Sequence, residues 1–179
     1  MKEARLFLAG MYLHLVFSVL APLGILYTGW NIGWTPLNFT FLVVYILEVL
    51  VVQVLGWVSA AAAARAAGEQ DWDSLQDGWR ILKLKSVPFQ ILNFLWSALA
   101  WFCLVKASRG ALAVLLPVPI LITWAMVFQS GIYGLLIIRA LRRQGEKVFF
   151  LHPLCQVLPG VDAISTWVML RRIRRSSVI

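Results

Sequence analysis

Four long apolar blocks dominate this chain, at about residues 6–30, 38–64, 88–106 and 112–138. A run of roughly 20 apolar residues crosses a ~30 Å hydrocarbon core as a helix, the one open-ended shape that satisfies its own backbone there. The expected fold is therefore all-α and integral to a membrane, a four-helix transmembrane bundle forming a single domain over residues 1–179. Composition agrees, with 61% hydrophobic and 13% charged residues. The mean hydropathy of +0.82 lies beyond the soluble globular range. The net charge of +8 could suggest nucleic acid on another protein. Here the basic residues flank apolar blocks and no nucleic-acid module accompanies them, so headgroups and topology explain the charge and no nucleic-acid partner is expected.

The connectors sharpen this picture. The first block is too long for a signal peptide and lacks a small-residue cleavage site, so it reads as an uncleaved span, with Pro22 expected to kink its outer third. Trp30 and Trp34 are expected interface anchors between spans one and two. The second block ends in the alanine run 60–64 before Arg65 and exceeds a ~30 Å core, so it should tilt or protrude. From about 71 to 85, Trp72, Leu75, Trp79 and Leu82 fall on one helical face. Asp71, Asp73, Asp77, Arg80 and Lys83 fall mostly elsewhere, which predicts a helix lying flat on the membrane surface. Lys83 and Lys85 mark the water side there, Ser86 suits a helix cap, and Pro88 suits a first turn.

The segment 148–170 tempts a fifth span, but it contains His152, Pro153, Gln156, Pro159, Gly160 and Asp162. A surface or shallowly re-entrant helix over about 150–170 is the expectation. Four spans keep the N-terminus, Arg65, Arg139, Arg142, Arg143 and the tail arginines on one side, leaving only Lys106 and Arg109 opposite. The positive-inside rule then places both termini in the cytoplasm of a multi-pass protein of the bacterial cytoplasmic membrane.

Polar residues inside the blocks are the candidate site. Counting helical rise puts His14, Glu48 and Ser97 roughly 15 Å deep, and Gln53, Gln90, Asn93 and Gln129 in the inner third. Ser86, Gln90, Asn93 and Ser97 also share one helical face, which must be hidden from lipid. These groups are expected to line a polar cavity opening to the cytoplasm. It would bind or transport a small amphiphile or cation, with Glu48 sensing charge and His14 as its candidate partner. A carboxyl there costs at least ~2.5–3.5 kcal/mol, so the alternative is a protonated packing device bonded to a neighbouring helix.

His152, Gln156 and Asp162 would sit at the cytoplasmic rim, most simply as the wet side of a surface helix. Arg171, Arg172, Arg174 and Arg175 are expected to meet anionic lipid headgroups. Two further readings stay open. One is a non-catalytic membrane subunit that docks a partner helix, or a further copy, through Gly131 and Gly134. The other is an inner-leaflet lipid-modifying enzyme built from His14, Glu48, His152 and Asp162. Against an enzyme, no HExxH, GxSxG or P-loop occurs, and Cys103 and Cys155 have no zinc-ligand spacing. No cofactor, metal or catalytic residue is assigned.

The run from Lys85 to Phe94 resembles a segment of small uncharacterised membrane proteins, found mainly in gut Firmicutes and grouped as a domain of unknown function. The stretch Gln129-Ser130-Gly131-Ile132-Tyr133-Gly134 is similar too, as is Leu151-His152…Gln156…Val161-Asp162-Ala163-Ile164 before the basic cluster. The resemblance covers the C-terminal half. It implies a bacterial cytoplasmic membrane protein and brings no activity or catalytic residue with it.

Overall fold

The computed structural model describes residues 2–31, 36–107, 117–143, 151–156, 158 and 161–176, and among these every regular element is helical. The elements are α1 (Lys2–Asn31), α2 (Pro36–Gly68), α3 (Trp72–Leu84), α4 (Val87–Ala107), α5 (Pro117–Arg143), α6 (Leu151–Cys155) and α7 (Val161–Ser176). Pro36 and Pro117 each stand first in a helix, where a missing N–H leaves nothing unsatisfied. The α1 helix continues on both sides of Pro22. The α2 helix has 33 residues, roughly 50 Å at 1.5 Å per residue, so it outreaches a hydrocarbon core as expected.

Among the described residues, three helices are long and apolar enough to cross a membrane: Lys2–Gly24 within α1, Pro36–Gly68 and Pro117–Arg143. The last differs from the expected 112–138. It runs on to Arg143, because leucine, alanine and arginine after Ile138 are good helix formers; residues 112–116 lie outside the described residues. Large apolar side chains cover the outside of these helices, among them Leu42, Leu47, Val51, Trp57, Leu121 and Trp124.

The corner between α2 and α3 is built by the backbone. Gln70 adopts φ 58°, and the Asp71 N–H bonds back to the Ala66 carbonyl at 2.9 Å, closing the end of α2 with a left-handed residue where glycine is commoner. Asp71 then caps α3, its carboxylate accepting from the Ser74 N–H at 3.1 Å.

The core lies at the α3 end of the molecule. Phe7 and Met11 of α1, Ala63 of α2, Leu75, Trp79 and Leu82 of α3, Phe89 of α4, Tyr133 and Ile137 of α5 and Met169 of α7 are buried together. The apolar stripe of α3 forms as predicted, but it does not rest on lipid. It packs against α1, α2, α5 and α7, since these present enough apolar surface to cover it. Tyr133 lies where Gly78 lacks a side chain, and its hydroxyl bonds Ser59 on α2.

The tail departs most from expectation. In place of one helix over about 150–170 there are two, ending at Cys155 and resuming at Val161, on either side of Pro159 and Gly160.

Candidate functional site

Two buried charged pairs organise the polar interior. The first joins α3 to α7. Lys83 follows Leu75, Trp79 and Leu82 at helical spacing, so it shares their inward face, and both it and Asp162 are 0% exposed. The Lys83 ammonium donates to Asp162 Oδ2 at 2.7 Å, to the Gln156 carbonyl at 3.1 Å and to the Val127 carbonyl at 3.3 Å. Its three protons are all engaged. Asp162 Oδ2 also accepts from Gln90 Nε2 at 3.3 Å, and Oδ1 accepts from the Ala163 N–H at 2.8 Å. Burial pushes the lysine below its ordinary range, while Asp162 holds it up.

Gln156 completes this knot. Its Oε1 accepts from Trp79 Nε1 at 3.1 Å and its Nε2 donates to Ser165 Oγ at 3.2 Å, while His152 Nδ1 meets the same Ser165 hydroxyl at 2.8 Å. Gly131 and Gly134 make room for it. A Cβ on Gly131 would lie 2.6 Å from the Gln156 carbonyl oxygen, and one on Gly134 would collide with the Gln156 amide. The close approach expected of these glycines is thus made by a loop residue of the same chain.

This overturns the expectation for Gln156 and Asp162 as the wet rim of a surface helix: both are fully buried, because Lys83 supplies the charge that lets them leave water. It also removes Lys83 from the water side.

The second pair lies between α1 and α2. His14 Nδ1 meets Glu48 Oε2 at 2.9 Å, both side chains being buried. Glu48 Oε1 has no hydrogen-bond partner. The Tyr45 ring, one turn back on α2, stands 5.8 Å from the imidazole. Packing of α1 on α2 sets this geometry, the most extensive helix contact in the molecule.

The other expected residues meet in separate contacts. Gln129 Nε2 donates to Gln53 Oε1 at 2.9 Å, lying against α2 where Gly56 has no side chain. Gln53 Nε2 and Gln129 Oε1 have no partner there. Asn93 bonds Thr123 of α5, and Gln90 bonds the Ser86 hydroxyl at 3.3 Å as well as Asp162. The stripe Ser86, Gln90 and Asn93 is buried as its spacing required; the Ser97 side chain lies outside the described residues. His14 pairs with Glu48, Asp162 with Lys83 and His152 with Ser165, so these four do not form one relay of bonds. No group of three or more His, Cys, Asp or Glu side chains gathers as metal ligands among the described residues.

In the tail, the Arg171 guanidinium lies 3.7 Å over the exposed Trp167 ring. The side chains of Arg172, Arg174 and Arg175 lie outside the described residues.

These features define an all-helical protein, with three helices able to cross a membrane and a terminal helix tied in by a buried ion pair. Residues 2–175 match the family of unknown function DUF6652, and the chain belongs to that family. The match spans both halves of the chain, not the C-terminal half alone. No curated protein and no solved structure matches it.

Proposed function

We propose that this protein is a multi-pass protein of the bacterial cytoplasmic membrane that binds a small monovalent cation at the Glu48–His14 pair. In this reading α4 is the fourth span. Its exposed Ile91, Leu92, Phe94, Leu95 and Phe102 are suited to acyl chains. Both termini face the cytoplasm, where the tail arginines meet anionic headgroups.

One observation carries the site. Glu48 is a buried carboxylate with one oxygen engaged by His14 and the other without a partner, in a helix whose outer surface is apolar. An unmade buried hydrogen bond is costly, so the unpartnered oxygen favours a bound ligand there. A carboxylate with a spare oxygen can accept a cation. Gln53, Gln90, Asn93 and Gln129 support the bundle around it. Docking of a partner helix at Gly131 and Gly134 has weaker support, because Gln156 fills that notch.

The test is cation-linked thermal stability in detergent. Sodium or potassium at pH 8 should raise the melting temperature by roughly 5 °C over choline at equal ionic strength. The gain should vanish in Glu48→Gln. An equal response in wild type and Glu48→Gln, or none in wild type, would refute the site.

A further inference from the structure

We propose that Arg139 and Arg143, with the clefts on either side of them, form a binding site for the headgroup of an anionic phospholipid. The two arginines stand one turn apart on α5 and so share a helical face. They form a ridge between two clefts. One, of about 500 Å³, opens toward the α2–α3 corner and is lined by Gly68, Gln70, Trp72 and Leu136. The other, of about 390 Å³, opens toward α6 and is lined by Ile138, Arg142 and Pro153. Arg139 and Arg143 line both.

Among the described residues, no carboxylate lines either cleft and neither ion pair uses an arginine. A guanidinium fork matches phosphate oxygens two at a time, and two forks one turn apart can share one phosphate. Favourable placement near a helix C-terminus accounts for Arg142 and Arg143 in the last turn. It does not account for a cleft beside Arg139.

Apolar side chains beside the arginines favour a lipid over a free anion. Ala67, Leu136 and Ala140 line the same cleft as Arg139 and Arg143. One and two turns further along the same face of α5 come the half-buried Ile132 and the exposed Phe128, a path for an acyl chain. Half-buried Trp72 stands beside the cleft as aromatic side chains do at headgroup level. At Gly68 a side chain would meet nothing within 4 Å, so the mouth of the larger cleft is open.

This site is separate from the Glu48 pair but rests on the membrane reading. Detergent-purified protein is loaded with equal phosphatidylglycerol and phosphatidylcholine, and the lipid retained is counted by native mass spectrometry. Wild type should retain phosphatidylglycerol roughly 25-fold over phosphatidylcholine, given that each of the two basic residues contributes about fivefold in affinity near an anionic headgroup. Arg139→Gln/Arg143→Gln should bring that ratio close to one. Gly68→Phe, which keeps every charge and fills the cleft mouth, should lower it several-fold. Arg65→Gln/Arg80→Gln removes equal charge elsewhere and should leave it unchanged.

Equal retention of both lipids by wild type overturns the proposal, as does full retention in the Arg139/Arg143 variant. An equal loss in the Arg65/Arg80 variant reduces the effect to net charge, and complete displacement by inorganic phosphate reduces the site to a free-anion site; either overturns the lipid assignment. A protein that stays monodisperse without detergent fails the membrane reading itself, a distinct outcome.

Discussion

Lys83 and Asp162 show how a charged side chain can belong to a core. Neither could be buried alone, since an isolated ion taken from water costs several kcal/mol even after relaxation. Together, with Gln90, the Gln156 and Val127 carbonyls and the Ala163 N–H, they leave no proton of the ammonium unused. Such a pair is worth little against apolar residues of like size, and its removal by halves is expensive. Lys83→Met alone should destabilise the protein by about 3–5 kcal/mol, and Lys83→Met with Asp162→Leu should recover most of that loss. Thermal unfolding in detergent measures both, and additive losses in the double variant would contradict the pairing. Lys83 was legible in the sequence by spacing, four residues after Trp79 and one after Leu82. Its charge argued for water, and nothing local announced an aspartate 79 positions away.

At the scale of elements, α3 and the two short tail helices hold one end of the molecule together. The Gly131 face of α5 receives the Gln156 backbone, which cannot retreat as a flexible side chain would. Gly131→Ala should therefore cost on the order of 1–3 kcal/mol and expose the tail to protease before the rest unfolds, with limited proteolysis as the readout. The start of α3 responds to acid. Its cap Asp71 is held below the ordinary carboxylate value of 3.8, first by the side-chain bond with Ser74. A lowered folded value means the cap's contribution is complete above that ordinary value and disappears as pH falls through the folded one. Amide protection factors in the first turn of α3, taken against intrinsic rates at each pH, should fall below about pH 4 and, in Asp71→Ala, should be low at every pH. The amphipathic stripe of α3 was readable from periodicity. What covered it was not, because a pattern of apolar residues states that a face is buried and is silent on whether lipid or protein buries it.

Across the whole molecule, apolar block length anticipated the helices well: the expected 6–30 and 38–64 lie within α1 and α2, and 88–106 within α4. The polar residues were legible individually and misread collectively. Depths from mid-membrane to the inner third suggested one shared hollow for Glu48, Gln53, Gln90, Asn93 and Gln129, whereas rotation about each helix axis places them in several distinct contacts. Depth follows from counting along a helix, but rotation depends on which neighbours pack against it. Only the His14–Glu48 match, between two helices joined by a short connector, could be read in advance.

The separation of Lys83 from its counter-ion also bears on synthesis. A ribosome releases Lys83 long before Asp162, so while the intervening residues are made this amine lacks its native partner and must stay hydrated. The earlier helices can form in order, but this end of the molecule closes only when α7 arrives. Messages truncated before residue 161 would yield proteins with a bare ammonium at an unsealed end, a mark that quality control could recognise.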